Sequence, residues 1–164
     1  MAEDIPTITN TTLYHHAQLC KPMLSYDAAA IALSFVPTAG GDPPSKAISE
    51  QDVYTYHHLR RDLYDLTSST GVEIASRYTV PSSHLTIARF ITQEDITELD
   101  GNGIDSARVA GLVTSLEKIN AKLESDHWPN GIGDWIVGEE KGLDCRKGRL
   151  WYGGGQTVLL GNGL

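Results

Sequence analysis

A histidine and a threonine two residues apart are the residues of this chain whose types and spacing best suit chemistry. They lie in the run Ser83-His84-Leu85-Thr86-Ile87-Ala88-Arg89. Residues i and i+2 of a β-strand point to the same side, so a strand here would place the imidazole of His84 beside the hydroxyl of Thr86. Leu85 and Ile87 would then face an apolar core. A titratable imidazole next to a hydroxyl donor suits the handling of a phosphate.

The surroundings of His84 favour a strand. The run is rich in β-forming residues, follows the turn signal Pro81-Ser82-Ser83 and closes with Arg89. The pattern His-x-Thr or His-x-Ser is nevertheless expected about once by chance in a chain with six histidines and many hydroxyl residues. The alternative, in which His84 is a structural histidine and Thr86 a simple β-former, therefore stays open.

The composition is that of an ordinary globular protein of one domain. The chain has 164 residues, of which 40% are hydrophobic and 21% charged, and this is enough to bury a core. Its net charge of −8 disfavours binding along a nucleic-acid duplex, because contacts with phosphate backbones need clustered Lys and Arg. A small anionic substrate in a local pocket remains compatible with that charge.

The sequence also indicates the compartment. No run approaches the roughly 20 apolar residues that span a bilayer, so we expect no membrane partner. The acidic start Met1-Ala2-Glu3-Asp4 differs from the basic start of a signal peptide. Cys20 and Cys145 are too few and too far apart for a disulfide framework or a metal site. These features predict a reducing compartment, cytoplasmic or nuclear, of which we take the cytoplasm.

Hydrophobic periodicity and turn residues predict the elements that must position His84. A first helix opens at Ser49 with Asp52 near a capping box, and ends at Gly71; a second spans about Ser106 to Ser125. Their apolar stripes are Val53, Tyr56, Leu59, Leu63 and Leu66, and Val109, Leu112, Leu116, Ile119 and Leu123. Besides the His84 run, strands are predicted at Thr11 to Cys20, Ala30 to Val36, Trp135 to Val137, Leu150 to Tyr152 and Thr157 to Leu160. This succession of strands and helices predicts an α+β domain with helices covering one face of an antiparallel sheet.

Other chemistry-bearing residues do not assemble into a metal or nucleophile motif. His15 and His16 on a strand would point to opposite faces, and His57 and His58 on a helix lie about 100° apart, so neither pair chelates a metal. Several aromatic residues could stack a nucleobase, and core packing is the alternative for each. They are Tyr14, Phe35, Tyr78, Trp151 and Tyr152, of which we take Tyr14, Trp151 and Tyr152 as substrate-binding candidates.

At SSHLTIARF the chain resembles the second histidine motif of the two-histidine (2H) phosphoesterase superfamily. Members of that superfamily carry two His-x-Thr/Ser motifs, one in each lobe of a pseudo-symmetric α+β fold. The runs KPMLSYDAAAIALSFVP, SEQDVYTYHHLRRDLYDL and EEKGLDCRKGRLWYGGG resemble a eukaryotic branch described as RNA ligase/cyclic nucleotide phosphodiesterase-like. The resemblance covers the chain from about Ile5 to Leu164.

The resemblance implies a hydrolase that opens 2′,3′-cyclic phosphates of nucleotides or RNA ends without a metal or other cofactor. His84 would be one acid/base and Thr86 one phosphate donor. The family pattern also brings Arg89 to the phosphate. Strict alternation places Arg89 on the opposite side from His84, so this role requires a bulge after Thr86. A salt bridge to a nearby acid is the alternative role of Arg89.

The chain departs from the family pattern in its first half-site. The other five histidines are followed two residues on by Ala, Gln, Leu, Arg and Pro, so none supplies the first motif. We therefore expect a single domain over residues 1–164 that is incomplete, with the family's N-terminal strand, first motif and helix missing. Three interpretations stay open. They are a part of a working phosphodiesterase, a catalytically inactive nucleotide-binding or interaction module, and a homodimer in which each copy lends His84 to a shared site.

Overall fold

The chain folds into an α+β structure, as the sequence predicts. The computed structural model describes residues 4–38, 54–74, 82–98, 103–149 and 154–163. The helices are α1 (Ile5–Thr9), α2 (Tyr56–Ser69) and α3 (Ser106–Lys122). The strands are β1 (Gln18–Tyr26), β2 (Ala30–Thr38), β3 (Ser83–Arg89), β4 (Trp135–Ile136), β5 (Lys141–Lys147) and β6 (Gln156–Asn162). They form a sheet of order β3-β2-β1-β4 and a separate two-stranded sheet of β5 and β6.

Contacts along the chain define two units. The first contains Met1–Leu19, Pro37–Pro81 and Trp135–Leu164, and the second contains Cys20–Val36 and Ser82–Asp134. The prediction of one domain over residues 1–164 stays a prediction.

The second unit is built on the tight turn between β1 and β2. The carboxylate of Asp27 accepts hydrogen bonds from the backbone amides of Ala29 and Ala30, at 2.7 and 2.8 Å, and the Asp27 amide donates to the Ala30 carbonyl. Side chains of this type favour turns because they mimic a backbone acceptor. The turn fixes the start of β2, and β2 in turn pairs antiparallel with β3.

Helix α3 bonds to the backbone of β1 through polar side chains. The Asn120 side chain accepts from the Leu24 amide at 2.7 Å and donates to the Leu24 carbonyl at 2.9 Å, while the Trp128 indole donates to the Pro22 carbonyl. Leu116 is buried, as predicted, whereas Ile119 is half exposed and the prediction that it faces inward is wrong. The inner face of the helix runs through Leu116 and Asn120, which lie one turn apart.

The first unit packs α1 directly on the β5–β6 hairpin. Gly142 of β5 and Gly161 of β6 lie beside each other and against the backbone carbonyl of Thr9, which is itself buried. A side chain at either glycine would collide with that carbonyl. Helix α2 contributes the buried Leu59 to this unit.

Helix α2 begins later than the sequence-based start. Its N-cap is Thr55. The Thr55 amide donates a hydrogen bond to Nδ1 of His58 at 3.1 Å, and the Thr55 hydroxyl lies 2.9 Å from the same nitrogen. His58 thus has a structural role, and Gly71 follows the helix with a φ of 77°, as expected of a C-terminal stop. The predicted cap at Ser49 and Asp52, and Val53, lie outside the described residues.

The strand predicted from Thr11 to Cys20 is wrong over its first part. Residues Thr11–Leu13 form a 3₁₀ turn directly after α1, and β1 begins only at Gln18. The hydroxyl of Thr11 bonds to the carbonyls of Thr7 and Ile8 in the preceding turns, a local bond that competes with strand pairing. Within the described residues, no helix is both long and apolar enough to cross a membrane.

Candidate functional site

His84 lies near the start of β3 with its ring held by a neighbour. The Ser82 hydroxyl lies 3.0 Å from Nδ1 of His84. This contact engages Nδ1 and orients the imidazole ring. Across the sheet His84 pairs with Ser34 of β2, and residues that pair directly across antiparallel strands share a face.

An irregularity in the pairing of β3 brings Arg89 onto that same face. Thr86 pairs with Ala32, but the next pair is Ala88 with Ile31, followed by Arg89 with Ala30. One additional residue of β3, Ile87, is therefore accommodated opposite the step from Ala32 to Ile31, as in a β-bulge. Because Ala30, Ala32 and Ser34 alternate regularly on β2, their partners Arg89, Thr86 and His84 point the same way.

We call this surface the His84 face and define it by His84, Thr86 and Arg89 of β3 with Ala30, Ala32 and Ser34 of β2. A phosphate-binding role of Arg89 requires a bulge after Thr86, and the observed bulge lies at Ile87. The two alanines contribute only methyl side chains to this face. An imidazole, a hydroxyl and a guanidinium on one face have the donors and the charge to hold a phosphate.

Two serines extend the hydroxyl donors of the His84 face. Ser25 of β1 and Ser34 of β2 lie with their hydroxyl oxygens 2.6 Å apart, and Ser25 also donates to the Ala32 carbonyl at 3.4 Å. The sequence analysis did not single out these serines. The alternation of Ala30, Ala32 and Ser34 within a predicted strand was the signal that could have placed Ser34 beside His84.

The far end of the face carries a fixed negative charge. Hydrogen bonds from the Ala29 and Ala30 amides lower the pKa of Asp27, and the positive charge of Arg89 lowers it further. This electrostatic attraction acts between Asp27 in the β1–β2 turn and Arg89, the last residue of β3. It leaves both roles of Arg89 open, as a phosphate ligand and as a partner of an acid.

The other side of β3 is not buried as the sequence predicts. Leu85 is 55% exposed and Ile87 58% exposed, so the expectation that they face an apolar core is wrong. The physical reason is the place of the strand: β3 is the last strand of its sheet among the described residues, and β2 alone flanks it there.

The remaining predicted binding residues belong to the other unit or lie outside the described residues. Tyr14 is 72% exposed and belongs to the first unit, where it lines a groove of about 420 Å³. The other lining residues are Pro6, Thr7, Asn10, Thr11 and His15. Trp151, Tyr152 and Tyr78 lie outside the described residues. The structure thus places His84, Thr86 and Arg89 on one face of β3.

Sequence reasoning missed an aromatic and acidic cluster in the first unit. The His15 ring stacks on Tyr54 at a centroid distance of 4.6 Å, and the Tyr54 hydroxyl donates to Asp62 at 3.0 Å. Arg61 bonds to the same carboxylate at 2.8 Å. Burial, with the hydrogen bond and charge of Asp62, raises the pKa of Tyr54. His15 and Tyr54 are 39 residues apart in the sequence, so no periodic pattern predicts their contact.

The sequence predicts a strand at His15 and His16, and this prediction is wrong. Both residues lie in the irregular segment before β1. Among the residues described, no three side chains of His, Cys, Asp or Glu are grouped so as to hold a metal ion.

Comparison with known proteins returns no relatives. The chain matches no protein-family model, and searches against curated proteins and solved structures find no match.

Proposed function

We propose that this chain is a phosphodiesterase-like protein that acts on 2′,3′-cyclic phosphates of nucleotides or RNA ends, with His84 and Thr86 as half of its site. The observation that carries the proposal is the common face of His84, Thr86 and Arg89, which the bulge at Ile87 creates. A structural histidine and an ordinary β-former would not require the guanidinium to share their side of the strand.

The chemistry assigns a distinct task to each group. A water oxygen attacks phosphorus, the bond from phosphorus to one ribose oxygen breaks, and the ring opens to a monophosphate. His84 exchanges a proton with either the attacking water or the leaving oxygen. Thr86 donates a hydrogen bond to a non-bridging oxygen, and Arg89 neutralises the charge on the phosphate.

The second candidate is a nucleotide-binding or interaction module without catalysis. The small number of histidines in the second unit favours a module without catalysis. Besides His84 this unit contains His127. Nδ1 of His127 is buried and has no hydrogen-bond partner among the described residues. Ring opening needs an acid and a base on different sides of the phosphate, so a lone His84 supplies one of two proton transfers. Such a face would bind a 2′,3′-cyclic phosphate and hydrolyse it slowly.

The experiment that tests the proposal is hydrolysis of 2′,3′-cyclic AMP in EDTA. We expect turnover by the full chain, and a rate lower by about 10²–10⁴-fold in His84→Ala, the usual worth of one acid/base. His57→Ala is the matched control, because His57 is an exposed histidine on α2. Binding of the nucleotide without turnover would favour the binding module, and neither binding nor turnover would contradict both candidates.

A further inference from the structure

Ala32 is surrounded by polar side chains on the His84 face. It pairs with Thr86 across the sheet, and Ser34, two residues further along β2, pairs with His84. On the other side of β2 lies Ser25 of β1, whose hydroxyl is 3.4 Å from the Ala32 carbonyl oxygen. Ser25 and Thr86 are exposed, and Ala32 and Ser34 are partly exposed. Because Ala32 has only a methyl side chain, a ligand atom above it would have hydroxyl groups on both sides.

Ser25 shares this face because of the turn between β1 and β2. The Asp27 amide donates to the Ala30 carbonyl, so these two residues are opposite each other where the hairpin closes. Two residues further from the turn on each strand, Ser25 is opposite Ala32, and directly opposed residues of antiparallel strands share a face. The hydroxyl oxygens of Ser25 and Ser34, which are 2.6 Å apart, agree with this placement.

The hydrogen bond between the two serines can be formed in either direction. Each hydroxyl has one proton to donate. When Ser25 donates to the Ala32 carbonyl, Ser34 must donate to Ser25. When Ser25 donates to Ser34 instead, the proton of Ser34 is directed away from Ser25 and towards an acceptor on the face. The second arrangement keeps the 2.6 Å bond and gives up only the longer bond of 3.4 Å.

We propose that a non-bridging oxygen of the phosphate lies above Ala32 and accepts hydrogen bonds from Ser34 and Thr86, with Ser25 as the positioning residue that orients the Ser34 hydroxyl. This inference rests on the proposed function and adds to its site two residues outside the His-x-Thr motif. A bound anion would favour the arrangement in which Ser34 donates outwards, because a hydrogen bond to a charged acceptor is stronger than one to a neutral acceptor.

The charges of the His84 face favour this position over the end at the turn. The Asp27 carboxylate is held at that end by backbone amides and is attracted to Arg89. Its negative charge would repel a phosphate placed directly at the turn. A phosphate above Ala32 lies one residue pair further from Asp27, and the adjacent pair on the same face still includes Arg89. The position therefore keeps the phosphate beside the guanidinium and away from the carboxylate.

The position above Ala32 is tested by filling it. Ala32→Val adds two methyl groups there, and valine is a residue that strands favour. We expect the affinity for adenosine 2′-monophosphate, measured by isothermal titration calorimetry, to fall by at least about 10-fold. Ala88→Val is the matched control, because Ala88 pairs with Ile31 and so lies on the opposite side of the same two strands. Equal affinities of Ala32→Val and wild type, or no binding by the wild type, would overturn the proposal.

The hydroxyl groups are tested in the same titration. Ser34→Ala should weaken binding by about 10- to 100-fold, and Ser34→Thr, which keeps a hydroxyl donor, should restore most of the affinity. The matched control is Ser115→Ala, since the Ser115 hydroxyl donates to the Gly111 carbonyl within α3. Equal binding by Ser34→Ala and Ser115→Ala would contradict the role of Ser34.

The positioning role of Ser25 is tested by combining substitutions. Ser25→Ala alone should weaken binding less than Ser34→Ala does. In the background of Ser34→Ala it should have no further effect, because Ser25 acts through Ser34. Additive effects of the two substitutions would show that Ser25 does not act through Ser34 and would overturn its positioning role.

The inference and the proposed function fail in distinguishable ways. If hydrolysis of 2′,3′-cyclic AMP is lost in His84→Ala, while Ser34→Ala and Ala32→Val keep the wild-type kcat and KM, the function stands and the position above Ala32 is wrong. If the wild type binds adenosine 2′-monophosphate through Ser34 but does not hydrolyse the cyclic nucleotide, the phosphate position stands and the proposed function is wrong.

Discussion

His84 and Arg89 point to the same face of β3 although five positions separate them. An odd spacing places two residues of a regular strand on opposite sides. Here the pairs Thr86–Ala32 and Ala88–Ile31 are consecutive across the sheet, so Ile87 is an additional residue and the alternation is reversed after it. The bulge therefore decides whether the guanidinium can act beside the imidazole.

The position of Arg89 predicts a role in binding. Arg89→Ala should weaken binding of adenosine 2′-monophosphate by about 10- to 100-fold, because hydrogen bonds to charged groups are worth about 1.5–3 kcal/mol. Isothermal titration calorimetry measures this. Arg108→Ala is the control, since Arg108 pairs with Asp105 at the start of α3. If both variants bind as the wild type does, Arg89 has its alternative role as the partner of an acid.

The cap of α3 predicts a moderate effect on stability. The Asp105 carboxylate accepts hydrogen bonds from the amides of Ala107 and Arg108, at 2.9 and 3.1 Å. Asp105→Ala should lower the free energy of unfolding by about 1 kcal/mol, whereas Asp105→Asn, which keeps the acceptor, should lose less. Urea denaturation followed by circular dichroism compares the two, and equal losses would argue against the cap.

The contact between α1 and the β5–β6 hairpin predicts a position that tolerates no side chain. Gly161→Ala should lower the free energy of unfolding by about 1–3 kcal/mol, because its Cβ would collide with the Thr9 carbonyl. Gly111 of α3 has open space around it, so Gly111→Ala should raise stability by about 0.5–1 kcal/mol. Thermal unfolding tests both signs, and a stabilising Gly161→Ala would contradict the packing of α1.

The cluster around Asp62 predicts acid sensitivity of the first unit. Partial burial raises the pKa of Asp62, but hydrogen bonds from Arg61 and Tyr54 and nearby positive charge outweigh it, so the pKa lies below its ordinary value. The stabilisation is then present above the ordinary Asp pKa of about 4 and is lost as the pH falls through the lower folded value.

Asp62→Asn should accordingly destabilise the chain near neutral pH, with the difference from wild type shrinking in acid. Tyr54→Phe is the matched partner, because it keeps the ring beside His15 and removes one hydrogen bond to the carboxylate. Urea denaturation across the acid range provides the measurement. A difference between Asp62→Asn and wild type that does not change with pH would contradict the electrostatic account.

Elements with a regular apolar pattern could be predicted from the sequence. The strand predicted at Ala30 to Val36 is observed as Ala30–Thr38, and the helix predicted from Ser106 to Ser125 is observed as Ser106–Lys122, continuing into a π-helical turn at Leu123–His127. Each has a local signal, in alternation or in apolar residues at helical spacing.

Features set by partners distant in sequence could not be predicted. The exposure of Leu85 follows from the terminal place of β3 among the described strands of its sheet, and the side of Arg89 follows from its pairing with Ala30. The sequence of the strand indicates only that Arg89 needs a bulge to reach the side of His84. The stack of His15 on Tyr54 likewise depends on the fold of the first unit.

Binding of a phosphate at the His84 face can be measured by nuclear magnetic resonance of the ¹⁵N-labelled chain. On titration with adenosine 2′-monophosphate, one of the two products of ring opening, we expect saturable shifts at the His84 imidazole nitrogens and at Thr86 and Arg89. His84→Ala should weaken this binding, and His57→Ala should not. Shifts confined to other residues, or identical binding by His84→Ala, would show that the phosphate is not held at this face.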